Sequence, residues 1–203
     1  MNDIRVRDLG RRPLAAVWAD MQDFTDRRDE ATGDEIWFVE HPPVYTLGLN
    51  ANPEHLLDNT DIEVVRIDRG GQVTYHGPGQ LVCYVLLNIK RLGLGVRALV
   101  ETLETAVIDT VADYGVDAYG RHDAPGVYVS GRKLAALGLR IRRGCSYHGI
   151  AVNVDMDLAP FRRIRPCGLD DVEVTQLADL CEDGDPARFR ADFERRLLTR
   201  LGT

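Results

Sequence analysis

Four short segments of the 203-residue chain hold residue types that could do chemistry. In Arg163-Ile-Arg-Pro-Cys-Gly-Leu169, Cys167 stands between a proline and a glycine, and Arg162, Arg163 and Arg165 put positive charge beside it. A thiol in a partly exposed, electropositive turn is the setting in which cysteine becomes a nucleophile that can carry a covalent intermediate. The same residues also describe a turn cysteine with no reactivity. In Gly131-Arg-Lys-Leu-Ala-Ala-Leu-Gly-Leu139, strand alternation puts Lys133 on one face with Ala135, Leu137, Leu139 and Ile141. A lysine there either snorkels to water or is buried with a partner and a displaced pKa. Arg69-Gly-Gly-Gln-Val-Thr-Tyr-His-Gly-Pro-Gly-Gln80 gathers glycines, whose backbone can approach a ligand closely, with the polar tips of Gln72, Thr74, Tyr75 and His76. As composition alone it is equally a long surface turn. In Cys145-Ser-Tyr-His-Gly-Ile-Ala-Val-Asn153, Cys145 and His148 have a metal-like spacing, but no second half-site accompanies them. Cys145 reads as packed at a strand start and His148 as a structural histidine. Cys83 and Cys181 lie on apolar segments and read as packing.

The elements that must position these groups can be read from periodicity. Arg12-Pro13 opens a helix in which Leu14, Val17, Trp18, Met21 and Phe24 keep helical spacing. Glu35–Glu40, Val44–Leu47, Glu63–Ile67, Leu81–Leu87 and Gly149–Val154 read as strands. Arg69–Gln80 is the longest turn-like stretch. Leu99, Leu103, Ala106, Val107, Val111 and Tyr114 form a helix stopped by Gly115, and Asp185-Pro186 caps a last helix carrying Phe189, Phe193, Leu197 and Leu201. Gly126–Val129 and Lys133–Ile141 form a hairpin through Ser130-Gly131. Strands in runs with few helices between them predict an α+β fold, a mixed sheet flanked by helices, in one domain over residues 1–203.

Composition excludes several function classes. The formal net charge of −7 argues against a nucleic-acid partner, which would call for a basic footprint. No apolar run reaches the length of a membrane span, and the charged start Met-Asn-Asp-Ile-Arg has no signal segment. The expectation is a cytoplasmic protein with free thiols, no metal and no membrane partner. The Gly-x-x-x-x-Gly-Lys-Ser/Thr loop and the dinucleotide fingerprint are both missing, so no nucleotide cofactor is expected.

Taken together, several segments resemble the lipoyl(octanoyl) transferases. They are Glu40-His-Pro-Pro-Val-Tyr-Thr-Leu-Gly48, Arg69–Gln80, Asp123-Ala-Pro-Gly-Val-Tyr-Val129, Gly131–Leu139, Ser146-Tyr-His-Gly149 and Pro166-Cys-Gly168, in the family's order and spacing. The resemblance covers roughly residues 35 to 180. It implies a fold like the catalytic domain of the biotin and lipoate protein ligases. It implies transfer of an octanoyl group from acyl carrier protein to a lysine of lipoyl domains, those of 2-oxoacid dehydrogenases and the glycine cleavage H protein, as the first step of endogenous lipoate synthesis, with no cofactor. It puts the nucleophile on Cys167 and its proton partner on Lys133. It puts the substrate pocket on Arg69, Gly70, Gly71, Gln72, Val73, Thr74, Tyr75 and His76, on Ala136, Leu137 and Gly138, and on Gly149, Ile150 and Ala151. Ala136 stands where the family often has serine, and Arg165 where asparagine is common.

Simple electrostatics makes such a pair sufficient. A thiol with a pKa near about 8.5 is only about 3 % thiolate at pH 7. Lowering that value by about 2.5 units requires roughly 3.4 kcal/mol, and an ammonium about 4 Å away supplies on the order of 4 kcal/mol at an effective dielectric near about 20. An ATP-dependent ligase on the same fold, a thioesterase and a silent acyl-binding protein are the competing readings.

Overall fold

The computed structural model describes residues 4–56, 61–164, 173–182 and 185–203. In chain order the elements are β1 (Ile4–Arg11), α1 (Leu14–Arg27), β2 (Asp34–Glu40), β3 (Val44–Leu47), β4 (Glu63–Arg66), β5 (Val73–His76), β6 (Gln80–Leu86), α2 (Val96–Ala112), β7 (Tyr119–Gly120), β8 (Gly126–Val129), β9 (Arg132–Arg142), β10 (Cys145–Asn153) and α3 (Pro186–Leu201). A seven-stranded sheet runs in the order β1-β2-β6-β10-β9-β8-β7, and a three-stranded sheet in the order β4-β3-β5. Each sheet holds one parallel pair, β1–β2 and β3–β4, among antiparallel ones. This is the expected mixed-sheet α+β architecture. No described helix is long and apolar enough to cross a membrane.

The helices form where their apolar residues repeat. Leu99, Leu103, Ala106, Val107 and Val111 of α2 and Phe189, Phe193, Leu197 and Leu201 of α3 are buried together on one face of the large sheet, against Ile36, Phe38, Cys83, Val85, Ile150 and Val152. The carboxylate of Asp185 caps α3 by accepting from the Ala187 amide at 3.1 Å, and Gly202 ends it at φ 80°. α1 covers half of the other face. Its Val17 and Met21 pack on Trp37, Val39, Val82, Tyr84 and Leu86.

Strands β1 and β7 at the two edges of the large sheet were not foreseen in the sequence, and two features nearer the slot depart from the sequence reading. Within the Arg69–Gln80 stretch, Val73–His76 is a strand that pairs antiparallel with β3, Tyr45 opposite Tyr75. A β-branched and aromatic run between glycines can pair when a partner edge is available. On β9, alternation does not hold. Tyr128 faces Lys133 whereas Val127 faces Ala135, so Leu134 is one residue too many on this strand. Such a bulge reverses which face the preceding residues occupy. Lys133 therefore shares its face with Ala136 rather than with Ala135, and the expected face of Lys133 with Ala135, Leu137, Leu139 and Ile141 is corrected.

One buried ionic cluster ties the start of β2 to the end of α1. Asp34, 2 % exposed, accepts from Arg28 at 2.6 Å, from Arg91 at 2.8 Å and from the Asn88 amide at 2.7 Å. Removing one partner of a buried pair leaves the other charge uncompensated. Asp34→Ala should thus cost about 3–5 kcal/mol in urea unfolding, against under about 1 kcal/mol for removing the exposed Glu101 of the Arg97–Glu101 pair.

Candidate active site

The site begins as missing side-chain volume. Two rows of residues cross the α1-facing side of the large sheet. One runs Trp37, Tyr84, Gly149, Gly138, and the next runs Val39, Val82, Ala151, Ala136, Gly126. Large residues on β2 and β6 meet α1, and small residues on β10, β9 and β8 leave a slot beside it. The small sheet and the Arg69–Gln72 segment roof that slot. The resulting cavity, part of it open to solvent, is lined among others by Val73, Thr74 and His76 from above and Ala136, Gly149 and Ala151 from below.

Arg69 holds the roof in place. It is 8 % exposed, and its guanidinium donates to the Thr46 carbonyl (2.8 Å) and hydroxyl (2.8 and 3.2 Å) and to the carbonyls of Gly70 (2.9 Å) and Gln72 (2.7 Å). The fork of N–H donors thereby ties β3 to the segment that crosses the slot. The Gly70 amide donates to the Leu139 carbonyl of β9 at 3.0 Å, which anchors the roof to the floor. Only glycine fits below, since a Cβ on Gly138 would stand 2.7 Å from the Gly70 oxygen and 3.2 Å from Arg69 Cδ.

Lys133 is carried by β9. It is 4 % exposed and lines the cavity, with Nζ 5.2 Å from the centre of the Tyr128 ring. Its amide donates to the Glu173 carbonyl at 2.8 Å, and its carbonyl accepts from the Thr175 amide at 2.9 Å. The lysine is therefore built into the site. Cys167 lies outside the described residues. The chain that brackets it is described on both sides, and Phe161 and Val174 both line the cavity.

Burial sets the charges in the rest of the site. Asp68 accepts from Trp18 Nε1 (2.9 Å), the Tyr147 hydroxyl and His148 Nε2 (2.9 Å). Burial pushes its carboxyl up, but the hydrogen bonds from His148 and Tyr147 outweigh it and hold the group well below the usual carboxylate range. The bonded carboxylate only accepts, so His148 Nε2 carries the proton, and burial pushes the ring's pKa down. His76, held through Nδ1 to Gln80 Oε1 at 2.7 Å, is pushed down to about 3 by burial and by His41. Burial thus disfavours the charged form of both rings. His148 also takes a left-handed backbone, φ 60°, in the middle of β10, whereas the other described non-glycine residues with positive φ, Ser130 and Arg143, sit at hairpin turns. That conformation costs roughly 1–2 kcal/mol, and it lets both Tyr147 and His148 reach Asp68 from consecutive positions.

The structure thus gathers Arg69, Gly71, Gln72, Val73, Thr74, His76, Lys133, Ala136, Leu137, Gly138, Gly149, Ile150 and Ala151 around one cavity. Gly70 and Tyr75 do not line it. The Gly70 amide is committed to the Leu139 carbonyl of β9, so it is not free to bond a ligand. Tyr75 packs behind β5 against Tyr45 and Phe161. The sequence reading missed Asp68, Tyr84, Asn153, Phe161 and Val174. Asp68 stands directly before the arginine of the motif, and only the fold shows that it receives donors from α1 and β10. No group of three or more potential metal ligands occurs among the described residues.

Comparison with known proteins places the chain in a family. The family model of the lipoyl protein ligase A/B catalytic domain matches residues 13–199. An octanoyltransferase of Alkalilimnicola ehrlichii is 57 % identical over 198 residues, covering 98 % of this chain and 92 % of that protein. One of Pseudoalteromonas atlantica is 60 % identical over 183 residues, covering 87 % and 84 %. Among solved structures, a lipoate protein ligase from Thermoplasma acidophilum with bound lipoic acid is similar with a TM-score of 0.77 at 17 % identity, over 98 % of this chain and 86 % of that one. Biotin protein ligase from Aquifex aeolicus in complex with biotin and ATP gives 0.58 at 13 % identity, over 98 % and 70 %. At such identities the structural likeness is one of fold. By the extent of the family match and the identity to these relatives, the chain belongs to the lipoyl protein ligase A/B catalytic-domain family and, within it, to the octanoyltransferases.

Proposed function

We propose that the chain transfers an octanoyl group from octanoyl-acyl carrier protein to a lysine of lipoyl domains through a thioester on Cys167, with Lys133 as proton partner. The single observation that carries the reading is that the buried Lys133 shares one cavity with Phe161 and Val174, which flank Cys167 in sequence. Chain connectivity limits residue 167 to within about 11 Å of Ile164, three residues away.

The cycle balances without a cofactor. The Cys167 thiolate attacks the octanoyl carbonyl, the bond to the carrier's sulfur breaks, and the departing thiolate takes a proton from the Lys133 ammonium. The acceptor's neutral amine then attacks acyl-Cys167. A C–N bond forms, Cys167 leaves as thiolate, and Lys133 takes the amine proton. Burial disfavours the protonated form of His76 and His148, which leaves Lys133 as the cavity group to donate this proton. The octanoyl chain lies in the slot over Ala136 and Ala151. The ATP-dependent alternative on this fold needs no nucleophilic cysteine, which separates the two readings experimentally.

Both partners are proteins, and an acidic carrier fits the exposed Arg140, Arg162 and Arg163 near the cavity. Arg142 and Arg143 are engaged with the end of α1, through Asp26 at 2.7 Å and the carbonyls of Thr25 and Asp26, so they contribute less.

Mixed with octanoyl carrier protein and no ATP, the protein should gain the mass of one octanoyl group on the peptide holding Cys167, and a lipoyl domain should chase it off. Cys167→Ser should form no chaseable thioester. Full transfer by Cys167→Ser, or no adduct under single-turnover conditions, rejects the mechanism. The slot makes a second prediction. Ala151→Leu adds volume where the acyl chain runs, so octanoyl transfer should fall at least about tenfold in kcat/KM, the effect of misfitting one or two methylenes, while a butanoyl donor is spared. Equal losses for both donors would place the acyl chain elsewhere.

A further inference from the structure

On α2 the inward stripe is Leu99, Leu103, Ala106, Val107, Thr110 and Val111, yet Glu104 is buried among them at 8 % exposure. A carboxylate there adds nothing to packing and is costly to desolvate. Its Oε1 accepts from the Gly126 amide at 2.6 Å. Gly126 in turn is pressed against the lysine. A Cβ on it would stand 3.3 Å from Lys133 Cε and 3.6 Å from Nζ, and its φ of 142° is one that glycine alone adopts readily. One residue of backbone thus separates a buried carboxylate from the buried amine of the active site.

We infer that Glu104 is a positioning residue for octanoyl transfer. Through the Gly126 amide it fixes the backbone wall against which Lys133 lies, and its charge holds the lysine as the ammonium that protonates the departing thiol. The inference rests on the proposed role of Lys133. Several other groups face this pair. Tyr128 on β8 presents its ring to Nζ, and Arg121 stands 5.3 Å from the same ring. Glu101 lies one turn back on α2, and Glu173 receives the Lys133 amide through its carbonyl. Burial pushes the Glu104 carboxyl up, with Glu101 adding to it, while the Gly126 amide and Lys133 pull it down. Coupling of this kind is reciprocal, so each partner's titration reads the other's charge.

The chain makes the test clean, because it contains only two lysines, Lys90 and Lys133. Protein carrying isotope-labelled lysine gives two side-chain resonances, told apart by Lys133→Arg, with the exposed Lys90 as internal control. Glu104→Gln keeps an oxygen acceptor for the Gly126 amide and removes the charge. The Lys133 titration midpoint should fall by about one pH unit, the size expected of a carboxylate this close at an effective dielectric near about 20. Lys90 should not move, and the pH profile of acyl transfer should shift with Lys133. An unchanged Lys133 midpoint in folded Glu104→Gln overturns the inference. If that variant does not fold, the Glu104 carboxyl carbon is read in Lys133→Met, where its midpoint should rise. No change there overturns it equally. Parental transfer rates in Lys133→Met would remove the role of Lys133 while leaving the electrostatic coupling measurable. Inactive Lys133→Met with unmoved resonances would remove only the role of Glu104.

Discussion

The structure depends on an unequal division of one sheet face. β2 and β6 place Trp37, Val39, Val82 and Tyr84 toward α1, and β9 and β10 place two facing pairs of small residues beside them, Gly138 with Gly149 and Ala136 with Ala151. α1 packs on the large half and reaches β10 at Tyr147, beside the small-residue half. Over the small half a packed protein interior would have to fill the gap or lose contacts. The chain instead bridges it with the Arg69–Gln72 segment and the small sheet, and the space between becomes the cavity.

Two local devices make that arrangement hold. Arg69 spends its buried guanidinium on carbonyls and a hydroxyl of the roof, fixing a glycine-rich segment that has little intrinsic preference for one path. The bulge at Leu134 turns Lys133 from the helix-covered face to the cavity face while Leu134 and Ala135 stay in the core. Without the extra residue the lysine would point into the packing of α2 and α3. A second polar chain runs from His76 through Gln80 and Asn153 to the Thr175 carbonyl, and Thr175 bonds the Lys133 backbone. It links the roof to the strand that carries the lysine.

How much of this the sequence makes legible follows from what each element needs. α2 and α3 are readable because their apolar residues repeat every three or four positions, and Asp185-Pro186 signals a cap by local chemistry. β6 and the second half of β10 are apolar runs, whereas the polar first half of β10, Cys145–His148, lies outside the strand read from the sequence. β5 is hidden, since Val-Thr-Tyr-His between glycines becomes a strand only when β3 offers an edge. The bulge is hidden too, because Arg-Lys-Leu-Ala-Ala-Leu alternates equally well in either register until β8 pairs with it. The left-handed His148 has no local signal, as histidine there is held by Asp68 from a distant loop. For the site, motif resemblance supplied most of the lining residues, and geometry explains why they are small. It also shows why Tyr75 is not among them: between Thr74 and His76 it points to the opposite face, where its ring packs on Tyr45 and Phe161.

The proposed mechanism requires Cys167 and Lys133 to meet beside this slot, with the acyl chain lying along it. A crystal structure of the octanoylated protein tests that directly. The account predicts electron density for the chain running from Cys167 Sγ over Ala136 and Ala151 toward Gly138 and Gly149, with Lys133 Nζ within about 4–6 Å of the sulfur, the range in which opposite charges shift a pKa. An acyl chain outside the slot, or a lysine well beyond that distance, would contradict it.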